Sequence, residues 1–304
     1  MQAQLIQTRR AHTGGVRTLT ALRGSQYFIS GGDDGLIYLW DLYSDSLQQT
    51  LSGHEAPLTV SAAFPERQFI ASGDQEGKLL LWNAPTAEVV RELQPQSGPV
   101  TALTLSPDGT RLHSGYSSGD VYIHDAINGR LLAHYSSPPN VEHVRGLVVS
   151  QNGDLIAART QQPLAVWPPR PQETTSLNGV APREFGDPLP EAAWLTFIEN
   201  YSLLMQVTPA GQLTLWDWHS GRALRDLTLR PDIQAVLLIP GERHLLVASR
   251  GPHLSVWSLI TGTPLFNLDA PNAEVTALAI SRDGHHALVG CEEGSLHIYR
   301  LHLS

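Results

Sequence analysis

The chain has one cysteine, Cys291, and one lysine, Lys78, among its 304 residues. A single thiol excludes an intrachain disulfide and leaves no mark of an oxidising compartment. No apolar run reaches the length needed to cross a bilayer. The opening residues, Met1 to Gln7, are too polar for a secretory leader, so the expected location is the cytoplasm, with the nucleus left open. The net charge of −9 carries no basic cluster. It argues against a general nucleic-acid binder and against docking on anionic membranes. Sustained helical periodicity is missing throughout. Nineteen arginines stand against the one lysine, which reads either as base composition or as a preference for planar, bidentate contacts.

Self-similarity at a fixed period is present instead. Short alternating segments close on Trp40, Trp82, His124, Trp167, Trp216, Trp257 and Tyr299, spaced by 42, 42, 43, 49, 41 and 42 residues. Segments such as Leu36-Ile37-Tyr38-Leu39-Trp40 and Ser295-Leu296-His297-Ile298-Tyr299 are short and rich in β-branched or aromatic residues. Other strands, such as Val100 to Leu105, run into reversal-prone turns like Ser106-Pro107-Asp108-Gly109. Each unit therefore offers four strands, and seven units fill one domain over residues 1–304. Repeat architectures escape the usual domain-size limit because each unit packs only on its neighbours.

The units resemble WD repeats. Gly53-His54 and Ala11-His12 fill the first signature slot; Trp40-Asp41 and Trp216-Asp217 fill the second, with Trp82-Asn83 close to it. The resemblance implies an all-β, seven-bladed β-propeller of four-stranded antiparallel blades. It also implies a buried tetrad of His, Ser, carboxylate and Trp. In unit 1 this falls on His12, Ser30, Asp34 and Trp40, and in unit 2 on His54, Ser72, Glu76 and Trp82. Unit 3 has Ser114, Ser118 and His124 in the last three slots. Units 4 to 6 keep the tryptophan without the carboxylate, and unit 7 keeps Glu293. Blades 3 to 7 are expected to rely on apolar packing.

The last unit stops short of a fourth strand. Residues 2–9 sit where an outer strand belongs, so the N-terminus is expected to close the ring. The spacing of 49 marks a proline-rich insertion at about 168–190. Part of it, near 179–185, must supply blade 4's outer strand. The rest reads as a solvated loop or a partner-binding protrusion.

No catalytic constellation stands out. There is no metal-protease motif, and Cys291 has no local base, because His285 and His286 fall at the other end of its strand. No catalytic residue, metal or cofactor is expected. By register, Arg17, Thr59, Thr101, Arg145, Ala193, Gln234 and Thr276 face the channel mouth, with Asp33, Gln75, Ser117, Thr160, Pro209, Arg250 and Glu292 nearby. A mouth ring free of acids and histidines disfavours a metal-dependent enzyme. Arg17, Arg145 and Arg250, with Gln234, are the candidate partner-binding set: guanidinium groups there suit a carboxylate or phosphate. WD-repeat proteins usually act as interaction scaffolds. The resemblance therefore implies a non-enzymatic subunit of a hetero-complex that binds proteins or peptides, acidic or phosphorylated ones at the mouth. A sensor of small anions is the alternative, and an enzyme using the channel is a third reading.

Overall fold

A computed structural model describes the chain except for residues 1, 23–25, 45, 65–68, 94–97, 137–142, 169–181, 187–193, 199–201, 242, 252 and 304. The described residues contain no helix. Strand β1 (Gln2–Arg10) precedes seven units. Blade 1 holds β2 (Val16–Ala21), β3 (Tyr27–Gly32), β4 (Leu36–Asp41) and β5 (Leu47–Ser52). Blade 2 holds β6 (Leu58–Ala63), β7 (Phe69–Asp74), β8 (Leu79–Asn83) and β9 (Glu88–Leu93). Blade 3 holds β10 (Val100–Leu105), β11 (Arg111–Tyr116), β12 (Val121–Asp125) and β13 (Leu131–Tyr135). Blade 4 holds β14 (Val144–Val149), β15 (Leu155–Arg159), β16 (Leu164–Trp167) and β17 (Arg183–Phe185). Blade 5 holds β18 (Trp194–Ile198), β19 (Leu203–Val207), β20 (Gln212–Asp217) and β21 (Arg222–Thr228). Blade 6 holds β22 (Ile233–Leu238), β23 (His244–Ser249), β24 (His253–Ser258) and β25 (Pro264–Leu268). Blade 7 holds β26 (Val275–Ile280), β27 (His286–Cys291) and β28 (Ser295–His302), and takes β1 as its fourth strand.

The seven-bladed propeller expected from the repeat is what the chain forms. Strand β1 runs antiparallel to β28, from Gln2 opposite His302 to Arg10 opposite Ser295, with one register shift between Leu5 and Gln7. The outer strand of blade 4 also falls inside the expected stretch, at β17. The remainder of the proline-rich insertion, and Ala193 of the mouth, lie outside the described residues.

Apolar packing lies between blades. Among the described residues the core divides into seven clusters, one at each seam. The closing seam joins Val16, Phe28 and Trp40 of blade 1 to Leu288, Leu296 and Ile298 of blade 7. Each fully buried side chain of this size contributes about 1.5–3 kcal/mol, against a net ~1 kcal/mol for a hydrogen bond. The seams therefore hold the ring, and polar groups can only tune it.

The turn between the second and third strands of a blade reaches across to the next loop. In blade 7, Gly294 accepts hydrogen bonds from the backbone N–H groups of Ala11 and His12 (2.9 and 3.1 Å). Its φ is +90°, and a Cβ there would lie 2.3 Å from the His12 carbonyl oxygen. Only glycine fits that approach.

Candidate functional site

In six blades the first strand carries a register shift at its second residue, which leaves Arg17, Thr59, Thr101, Arg145, Gln234 and Thr276 at the irregular position. Bulges of this kind re-aim a side chain out of the regular pleat. Neighbouring backbone bonds set a second ring beside the first. The N–H groups of Asp33, Gln75, Ser117, Thr160, Arg250 and Glu292 donate to the residues just before each first strand, at 2.8–3.2 Å. The two rings share one face, here called the top.

The threonines of the bulge ring are structural. The Thr59 hydroxyl donates to the Val100 carbonyl of blade 3 (2.6 Å), and Thr101 to the Val144 carbonyl of blade 4 (2.5 Å). Thr276 does the same to Val16 of blade 1 (2.5 Å), across the closing seam. Each ties one blade to the next.

The arginines of the candidate set differ from one another in how their charge is met. Arg17 is gripped by Asp33 in a bidentate pair, Nε to Oδ1 at 2.6 Å and Nη2 to Oδ2 at 2.7 Å. The N–H of Gly15 also donates to Asp33. The Arg17 hydrogen bond holds the Asp33 carboxyl below the usual range, and Asp33 raises the guanidinium in return. Arg250 stands 3.6 Å from the Glu274 carboxylate, both well exposed, a pair worth little in water. Arg145 is exposed and has no carboxylate partner among the described residues. Gln234 lies half-buried at the blade 6 bulge. Arg17 and Arg145 are three blades apart.

In blade 1 the tetrad residues form a donor chain. The Trp40 indole N–H donates to Ser30 (2.9 Å), Ser30 bonds His12 Nε2 (2.8 Å), and His12 Nδ1 bonds Asp34 (2.9 Å). Blade 2 repeats this through Trp82, Ser72 and His54, each link 2.7 Å. Its carboxylate, however, is Asp74 (2.7 Å). Glu76 was the sequence expectation, and it is exposed outside the network. Only the N–H of Glu76 takes part, donating to Asp74 Oδ1 together with the N–H of Lys78 (both 2.9 Å). The signal lay two residues past the serine. Ser72-Gly73-Asp74 carries a carboxylate where blade 1 has Gly32, and a Cβ at Gly32 would lie 2.4 Å from the His12 ring. Blade 1 must therefore draw its carboxylate from the turn.

The other blades satisfy the slot differently. In blade 5, Gln206 takes the serine position and accepts from Trp216 (2.8 Å). In blade 6, Trp257 donates to Ser255 on its own strand (2.8 Å). In blade 7 the Tyr299 hydroxyl donates to the Asp269 carbonyl (2.6 Å). In blade 4 the buried Arg159 guanidinium lies 5.4 Å from the Trp167 ring centroid and 3.3 Å from Glu184 on β17. That charge ties the strand that returns from the insertion. In blade 3 the buried Ser114 Oγ and His124 Nδ1 have no hydrogen-bond partner.

Blade 7 also gathers a mixed set of side chains. Ligand atoms of Cys291, Glu293 and His297 all lie within 4.8 Å of one another. Ser295 Oγ is 2.6 Å from Glu293 Oε1 and 2.8 Å from His297 Nε2, and Thr8 Oγ1 of β1 is 3.0 Å from His297 Nδ1. The Cys291 thiol is buried, and burial pushes it up to about 11, which suits no nucleophile at neutral pH.

Seven four-stranded blades, two of them with an indole held on a Ser–His–carboxylate chain, define the class of repeat β-propellers. Residues 3–41, 45–83 and 262–300 match the WD domain, G-beta repeat model. Residues 65–145 match the anaphase-promoting complex subunit 4 WD40 domain model, to which this stretch is therefore similar. The matches together span more than half the chain, and the protein belongs to the WD-repeat family. No curated protein matches it significantly. Propellers of this family are typically non-catalytic, and both matches fit a protein-interaction role within a complex.

Proposed function

We propose that this protein is a non-catalytic scaffold, a subunit or module of a multiprotein complex, whose top face receives an acidic or phosphorylated segment of a partner at Arg145. One observation carries the placement at blade 4. Of the three arginines in the candidate set, Arg17 is neutralised by Asp33 and Arg250 faces Glu274, while Arg145 is exposed with no carboxylate partner among the described residues. A guanidinium is built for bidentate capture of carboxylate or phosphate. A sensor of small anions would need converging cations, and the commitment of Arg17 to Asp33 removes one of them.

The test is affinity purification with mass spectrometry of the wild type and Arg145→Glu. Loss of the main partners from the variant, with an unchanged melting curve, is the expected result. Undiminished capture by Arg145→Glu would refute the placement. Phosphate compounds raising the melting temperature through Arg145 without any captured protein would favour the anion sensor.

A further inference from the structure

Cys291 ends β27, Glu293 lies in the turn, and Ser295 and His297 open β28. The hairpin's alternation puts these side chains together, so sulfur, carboxylate and imidazole donors meet within 4.8 Å. That donor set suits a borderline-soft divalent ion. Zinc bond lengths imply ligand atoms roughly 3.3–3.8 Å apart in a tetrahedral site, so closure needs a contraction of about 1 Å. Glu293 is exposed in a turn and can swing, while Cys291 and His297 are held in buried strands. The imidazole is already oriented. Its Nδ1 meets the Thr8 hydroxyl, and Nε2 points to Ser295 among the other donors. A hydrogen bond on the far ring nitrogen is how proteins fix a ligating histidine.

We propose that Cys291, Glu293 and His297 bind one divalent cation of the zinc class, with water in the fourth position. Thr8 belongs to β1, so the cation also fastens the strand that closes the ring. Two of the three ligands also belong to a hydrogen-bonded row, Thr8 to His297 to Ser295 to Glu293. The experiment must separate the two uses.

The full chain, stripped with a chelator, is titrated with zinc against a chromophoric competitor, and with cobalt as a spectroscopic probe. The expected result is one ion per chain, a thiolate-to-cobalt charge-transfer band and a raised melting temperature. Cys291→Ser and His297→Gln should abolish uptake, and Thr8→Val should weaken it about 10-fold. Ser295→Ala should keep the ion while lowering the melting temperature of the stripped protein. Failure to take up zinc stoichiometrically, or equal uptake by Cys291→Ser and His297→Gln, would overturn the proposal. Should Cys291→Ser not fold, Glu293→Gln at its exposed position reads the same question.

Discussion

Blades 2 and 3 adjoin, have the same length and strand count, and solve one problem in opposite ways. In blade 2, Trp82, Ser72, His54 and Asp74 form an unbroken chain of donors and acceptors. In blade 3, Ser114 and His124 stand ten residues apart, the same interval as Ser72 and Trp82, but no hydrogen bond joins them. Both blades fold because their seams are filled with buried apolar side chains. The contrast separates two levels of specification. The period and the apolar faces make a blade, while the polar chain decides how firmly its strands are registered. Burial lowers the basicity of His54 and of His12, and in each case an adjacent aspartate opposes the loss. In blade 3, burial alone takes His124 down to about 4, while burial, helped by the charge of Arg111, takes His113 down to about 3 against the Thr104 backbone and Asp108.

The harshest way to break the ring acts equally on both kinds of blade. Deleting residues 2–9 removes most of the strand paired with β28, and should lower the melting temperature by on the order of 10 °C or more. Calorimetry showing an unchanged transition would mean that blade 7 closes without β1. The next largest effect lies within blade 2. Asp74→Ala orphans His54 and two backbone N–H groups and should cost about 3 kcal/mol, whereas Glu76→Ala should stay within about 0.5 kcal/mol. Equal losses in denaturant titrations would return the carboxylate role to Glu76.

Acid sharpens the comparison at blade 3. His113 and His124 titrate near 3 and 4 in the folded chain and near 6.5 when unfolded. Their folded values are depressed, so stability that depends on the neutral rings is intact above about pH 6.5 and falls as pH drops towards 4 and 3. His124→Trp should restore the indole–Ser114 bond, raise stability by about 1 kcal/mol, and flatten that acid limb. A melting profile between pH 7 and 4 as steep as the wild type's would contradict the assignment. The threonine ties are expected to have effects no larger than the His124→Trp gain. Thr59→Val, Thr101→Val and Thr276→Val should each cost about 1 kcal/mol, measurable as a shift in the denaturation midpoint.

The architecture was legible because it rests on period. Aromatic residues recurring near every 42 positions, glycine-bearing turns and a last unit short of one strand are all linear features of the sequence. The site was less so, because its contacts depend on irregular backbone. Arg17 meets Asp33 only because a bulge turns it towards the neighbouring turn. Fixed spacing from Ser72 pointed to Glu76, while the hairpin brought Asp74 to the histidine. Gln206 replaces a serine by reach rather than by type. Cys291, Glu293, Ser295 and His297 alternate along the chain, but whether two strands fold them onto one another is a question of register. Short-range pattern shows the face, and only the pairing shows the partners.

The antiparallel pairing of β1 with β28 has a mechanical consequence. Gln2 lies opposite His302, so tension drawn between those two residues does not load the strand pair all at once. It falls first on the outermost cross-strand bond and then on each in turn, since the bonds of an antiparallel ladder lie perpendicular to the strands. The disc therefore resists heat through its whole circumference, yet unzips from a single point when pulled between Gln2 and His302. Pulled instead between two blades far from that pair, it meets the load with many bonds in parallel.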